Sequence, residues 1–150
     1  MRAIRVLIVA VMMAVAALLT TGTASAAPLA PAKAAGTPCS ASARACVDLS
    51  ANQAWLIRNG RVEYGPVRVS HGRPGFRTPP GTFRVTFKSR HHVSSIYHVP
   101  MPYAVFFNGG IAFHQGDTGG RSHGCIRMSR SAASTFFNSL ARGSVVQVVR

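Results

Sequence analysis

Hydrophobic and polar positions fall into three regimes along this chain. Behind Arg2 and Arg5, Val6 to Leu19 is an unbroken apolar run of fourteen residues, followed by Ala24-Ser25-Ala26. That order of charged, apolar and small-residue regions predicts an export signal over Met1–Ala26. The run is shorter than the ~20 residues a bilayer requires, so no permanent membrane anchor is expected. Residues 27–38 are Ala/Pro-rich, lack periodicity and read as a flexible lead-in. A single folded domain is then expected over 39–150.

Within that domain the punctuation is that of a β protein. Ala54–Ile57 and Val62–Tyr64 flank Asn59-Gly60, whose two residues both tolerate positive φ and so predict a tight hairpin. Val67–Ser70 reads as a short strand, and Thr78-Pro79-Pro80-Gly81 as a turn. Thr82–Lys88 alternates, with Phe83, Val85 and Phe87 on one face, and predicts one strand. Ser89–Tyr97 is polar, His-rich and read as a loop. Tyr103–Phe107 and Ile111–Phe113 form a second hairpin around Asn108-Gly109-Gly110. One helix is expected, capped by Ser129 or Ser131, with Ala133, Phe136, Phe137 and Leu140 at helical spacing and Gly143 beyond its end. Ser144–Val149 closes the chain as a strand. Six or seven short strands and one C-terminal helix give a mainly β class, a small β-sandwich or barrel-like mixed sheet.

Composition narrows the chemistry. The formal net charge is +14, with three acids, Asp48, Glu63 and Asp117. Too few carboxylates exist for paired-carboxylate hydrolysis or an acid-rich Mg²⁺ or Ca²⁺ site. Six histidines and three cysteines are present, but no zinc-ligand spacing joins His71, His91, His92 and His98 to the rest, so no metal or cofactor is expected. The excess charge faces water or an anionic partner, with Arg73, Arg77, Arg84, Lys88 and Arg90 as the candidates. Cys39 and Cys46 are close enough in sequence to pair as a disulfide, which leaves Cys125 as a free thiol in an oxidising compartment.

That thiol sits in the most informative segment, His114-Gln115-Gly116, then five residues, then Ser122-His123-Gly124-Cys125-Ile126-Arg127. A cysteine with a histidine is the minimum for nucleophilic acyl transfer, and neighbouring Arg121 and Arg127 would favour the thiolate. Gly124 lets the backbone turn so that amides near Cys125 can face an oxyanion.

The H-x-G and S-H-G-C-I-R motifs, with Thr78-Pro79-Pro80-Gly81-Thr82-Phe83 upstream, resemble the L,D-transpeptidases of the YkuD-like group. Trp55-Leu56 and Tyr64-Gly65-Pro66 stand in the matching order, so the resemblance runs from Val47 to Arg150. It implies a secreted, wall-associated cysteine acyltransferase of peptidoglycan biosynthesis, hence of cell-wall organisation and cell shape. Such an enzyme attacks the L,D bond of a stem tetrapeptide, releases D-Ala, and joins third residue to third residue through a diamino-acid amine. Carbapenem-type β-lactams would be covalent inhibitors.

By the same resemblance Cys125 is the nucleophile and His114 the base, oriented by the Gln115 carbonyl, with His123 the alternative base. Gly116 completes the H-x-G motif. His123 would shape the pocket and Ser122 hold the loop. Gly124 and Cys125 would supply oxyanion donors, and Arg127 would bind a substrate carboxylate. Outside the resemblance, Tyr103, Met101 and Trp55 are read as packing residues, with Tyr103 also a candidate to line the cleft. The ten residues between His114 and Cys125 are fewer than in many members, which alters the loop over the pocket. L,D-carboxypeptidase action or D-amino-acid exchange would use the same site. In a different class, a basic module binding cell-wall polymer would need no Cys125. Nucleic acid binding is the variant of that module not expected here.

Overall fold

In a computed structural model, residues 32–150 are described. The expected export signal and the start of the lead-in lie outside these residues. The described part of the lead-in is paired with the domain: Lys33 bridges Ser40, Ala35 bridges Arg61, and Ala34 is buried. Among the described residues, Ala34 already packs with the domain ahead of Cys39.

Among the described residues, nine strands form one mixed sheet: β1 (Ala45–Asp48), β2 (Gln53–Arg58), β3 (Arg61–Ser70), β4 (Gly81–Arg84), β5 (Phe87–Val93), β6 (Pro100–Asn108), β7 (Ile111–Gln115), β8 (Ile126–Met128) and β9 (Val145–Val149), with helix α1 (Arg130–Ser139) between the last two. Their order is β4-β9-β1-β2-β3-β8-β7-β6-β5. Most neighbours are antiparallel, while β1 pairs with β9 and β7 with β8 in parallel. The barrel-like mixed sheet and single C-terminal helix read from the sequence are both present.

The two edges of the sheet are consecutive in sequence, which curls it. β4 and β5 are joined by Val85 and Thr86 alone. The Val85 amide donates to Ser144 O and the Thr86 amide to Phe106 O, each at 2.9 Å. One alternating run thus divides between the two ends of the sheet, with Val85 buried where it crosses and Phe87 half exposed beyond it. The stretch read as a loop from Ser89 is β5 as far as Val93. It is an edge strand whose Lys, Arg and His side chains meet water, so no apolar face betrays it.

The Asn59-Gly60 hairpin is present, with φ of 52° and 72°, as a two-residue turn between twisted strands requires. β3 continues through Val67–Ser70 as one strand. The inside of the curl holds Val47, Leu56, Val69, Val105, Phe113, Ile126, Met128 and Val146, closed by α1 through Ala133, Phe136 and Leu140. Phe136 packs 5.1 Å from Phe113, centroid to centroid, and burying such a ring contributes about 1.5–3 kcal/mol. Ser129 caps α1, its Oγ accepting from the Ala132 amide at 3.3 Å. At the other end Lys88 Nζ donates to Leu140 O at 2.6 Å, a cation where the helix dipole favours one. On the outer face of β1 and β2, Cys39 and Cys46 form the expected disulfide (Cα–Cα 5.8 Å), packed with Ala34, Trp55 and Ile57.

Candidate active site

The site is built on the outer face of β7 and β8. Phe113 pairs with Ile126 and His114 with Arg127. Phe113, Ile126 and Met128 point into the core, so alternation turns His114, Cys125 and Arg127 outward. Cys125 immediately precedes β8 and falls beside Ala112, putting its Cα about 8 Å diagonally from that of His114. Cys125 packs against the buried cluster of Met101, Ala104 and Ala112. His114, Cys125, Arg127, His123 and Gln115 line one cavity of about 610 Å³, walled by Ser94, Tyr97, Val99, Pro100 and Met101.

His114 is 8% exposed and its Nδ1 donates to Gln115 O at 2.7 Å. That bond fixes the tautomer and leaves Nε2 as the nitrogen that can accept a proton. Burial lowers the His114 pKa below its ordinary value, the charges of Arg127 and His92 lower it further, and the Gln115 bond opposes them. The Cys125 thiol moves the other way. Burial raises its pKa, against a hydrogen bond from the Ala112 backbone and the Arg127 charge. Arg127 favours the thiolate as expected, but desolvation outweighs it. At neutral pH the resting pair is a neutral thiol and a neutral imidazole.

The loop that presents Cys125 is braced from both sides. Ser122 Oγ donates to Cys125 O at 2.6 Å and accepts from the Gly124 amide at 3.0 Å, so Ser122 holds the loop. The same contact corrects one expected role: the Gly124 N–H is engaged within the loop and does not face an oxyanion. What Gly124 supplies is conformation, at φ +120° with Ile111 3.3 Å from where a Cβ would stand. Ser122 also pairs with Gly72, flanked by hydrogen bonds to His71 and Arg73. Thr78, from the distant turn motif, donates to Gly124 O at 2.7 Å and accepts from the Gly72 amide at 3.0 Å. The two sequence motifs are therefore one physical unit.

Arg127 is held as well. Its Nε donates to Ser70 Oγ at 3.2 Å and its Nη2 to Gly120 O, tying β8 to the loop after Gly116. Gly116 permits this, because a Cβ there would lie 2.8 Å from Arg127 Cδ. Tyr103 does not line the cleft. At φ 58° it sits in a separate cavity with Ser129, Arg130, Ser131 and Ser134, its ring 6.0 Å from Phe137 and beneath Arg90 and Arg130.

His123 is exposed at the cavity mouth, its ring 4.4 Å from Tyr97 and 4.8 Å from Phe76. These two aromatic neighbours and His92 were missed in the sequence. His92 stands in β5, 4.9 Å from the Phe106 ring, and only the fold brings it near His114. His71 instead bonds to Leu49 O and Arg121. Among the described residues no three His, Cys, Asp or Glu side chains are grouped to hold a metal ion.

The family model for the L,D-transpeptidase catalytic domain, YkuD, matches residues 42–148. Among solved structures, an L,D-transpeptidase (Yku) from Stackebrandtia nassauensis is 31% identical with a TM-score of 0.68, over 71% of this chain and 54% of that one. An L,D-transpeptidase from Mycobacterium tuberculosis H37Rv is 27% identical with a TM-score of 0.66, over 71% and 57% respectively. LdtMt1, an LD transpeptidase in complex with imipenem, is 29% identical with a TM-score of 0.64, over 70% and 57%. The chain thus spans little more than half the length of these structures. Comparison with curated proteins finds no match. With the Cys125–His114 floor, the Thr78 brace and residues 42–148 all in agreement, the chain belongs to the L,D-transpeptidase catalytic-domain family.

Proposed function

We propose that this protein is an exported L,D-transpeptidase that cross-links peptidoglycan stems by acyl transfer through Cys125. The observation that carries the proposal is the pairing of Cys125 and His114 on one face of adjacent parallel strands, at the floor of one cavity, with His114 Nδ1 already committed to Gln115 O.

As Cys125 Sγ attacks the carbonyl of the third stem residue, its proton passes to His114 Nε2. A neutral pair makes this transfer part of the attack rather than a preceding equilibrium. The tetrahedral oxyanion faces the Cys125 amide, since the Gly124 amide is bonded to Ser122. His114 then protonates the departing nitrogen, the C–N bond breaks, D-Ala leaves and a thioester remains. The diamino-acid amine of a second stem attacks the thioester and gives a proton to His114. The new C–N bond forms, the C–S bond breaks and the thiol is restored. Arg127, fixed against Ser70 and Gly120, sets a positive potential at the carboxylate-bearing donor stem. A carbapenem carbonyl would enter the same attack and stop at the acyl-enzyme, making such β-lactams covalent inhibitors.

Residues 27–150 are incubated with disaccharide-tetrapeptide, beside Cys125→Ala, and the products are separated by mass. The expected product is a third-to-third dimer with loss of D-Ala, absent with the variant. Tripeptide without dimer would replace transpeptidation by L,D-carboxypeptidase action. Equal products from both proteins would refute Cys125 as nucleophile.

A further inference from the structure

Two further cavities open on the side of the molecule next to the active site, and both are basic. One, of about 490 Å³, is lined by Arg68, Arg121, Asn52, Gln53 and Ser70 among others. The second, of about 610 Å³, is lined by Arg77, Arg121, Arg150, His71 and Asn52 among others. Sharing Asn52 and Arg121, they form one continuous groove, and Arg121 lines the active-site cavity as well.

The charge of this groove is uncompensated. Both ion pairs among the described residues use Glu63, with Arg44 and Arg58. The acids bordering the groove face their own turns: Asp48 Oδ1 accepts from Ser50 and Ala51, and Asp117 Oδ1 from Gly119. No acidic residue lines either cavity, and Arg68, Arg77 and Arg121 are exposed. Arginines gathered along a polar groove favour multiply charged anions with planar or tetrahedral oxyanion groups.

We propose that this groove binds a single flexible polyphosphate-type chain, such as a phosphate-linked polymer of the cell wall, and leads it past Arg121 to the rim of the active site. Neither cavity is lined by Phe, Tyr or Trp, which argues against nucleic acid, whose single strands gain much of their affinity by stacking bases on such rings. Naming a wall polymer as occupant rests on the exported enzyme proposed above. The groove itself does not, so binding and turnover are scored separately.

The probe is inorganic polyphosphate, titrated against full-length mature protein at several salt concentrations. Arg68→Ala/Arg77→Ala is compared with Arg61→Ala/Arg142→Ala, which removes the same charge from exposed positions away from the groove. The groove variant is expected to bind at least about 10-fold more weakly at low salt. Its log–log salt slope should be shallower by about 1.4, two lost contacts at ~0.7 each. Turnover of disaccharide-tetrapeptide without polyphosphate should be unchanged. Equal weakening in both variants would overturn the proposal in favour of diffuse surface charge. A single-stranded oligonucleotide of matched charge binding 10-fold tighter than polyphosphate would overturn it in favour of nucleic acid. No turnover by the wild-type protein, with the groove variant weakened as expected, would count against the enzymatic proposal alone.

Discussion

Replacing Thr78 by valine keeps the shape of the side chain and removes one oxygen from a buried brace. Thr78 is 1% exposed, and its hydroxyl serves the Gly124 carbonyl at 2.7 Å and the Gly72 amide at 3.0 Å. Neither group can reach water without moving the loop. Each loses its partner, at about 1–3 kcal/mol for a buried group left unsatisfied, so the total is roughly 2–6 kcal/mol. For a domain of this size about 3–6 °C of Tm accompanies each kcal/mol, which places the fall on the order of 10 °C. Because Gly124 precedes Cys125, the proposed nucleophile, an ångström-scale shift in its carbonyl also costs turnover, on the order of 10- to 100-fold. The assay is thermal unfolding by near-UV circular dichroism together with turnover of tetrapeptide. Thr82→Val, exposed on β4, is the control and should change neither. If Thr78→Val unfolds within 2 °C of the parent (roughly the shift of a surface substitution) and keeps its turnover, the brace does not hold the cysteine loop.

Other perturbations follow the same geometry. Gly116→Ala pushes a methyl against Arg127 Cδ at 2.8 Å. It should lower kcat/KM while the fold survives, and a KM and kcat both unchanged would remove Arg127 from the site. Iodoacetamide modification of Cys125 should still be accelerating above pH 8.5, because burial raises the thiol pKa. A plateau reached below neutral pH would show a preformed thiolate instead. The same shifts set the pH dependence of stability. The lowered pKa of His114 makes the unfolded chain bind the extra proton first, so stability is lost as pH falls below about 6.5. The raised pKa of Cys125 makes the unfolded chain lose its proton first, so stability also falls above about pH 8.5. Urea titrations of wild type and His114→Gln check the acid side, which should flatten in the variant. Ser129→Ala should cost about 1 kcal/mol by removing the α1 cap, measurable by urea unfolding, without altering turnover.

Much of the site was legible because its chemistry is local. His114, Cys125 and Gly124 announce themselves by residue type and order, and Asn59-Gly60 by the φ its turn demands. Ser129 and the Ala133, Phe136, Leu140 stripe marked the helix for the same reason. Long-range pairing was not legible. β1 is four residues long and buried, so Ala45–Asp48 shows no alternation, and β8 has three residues between a loop and a helix cap. The run from Thr82 to Lys88 alternates as one strand should, yet serves both edges of the sheet, which only closure of the curl explains. Tyr103 packs against the core, as read, and does not take the cleft position also considered for it; its place beneath Arg90 and Arg130 depends on the β5–β6 register. The thiol pKa failed for a related reason. Arg127 is visible in sequence, whereas the burial that outweighs it comes from Met101, Ala104 and Ala112 on strands read as structural.

The claim that Cys125 carries the acyl group is tested most directly by intact-protein mass spectrometry during turnover. The protein is quenched in acid seconds after mixing with disaccharide-tetrapeptide, then digested to locate the adduct. The account predicts a mass increase equal to the substrate minus D-Ala, confined to the peptide containing Cys125 and absent in Cys125→Ala. Turnover with the acyl group on another residue, or an adduct that persists in Cys125→Ala, would contradict it.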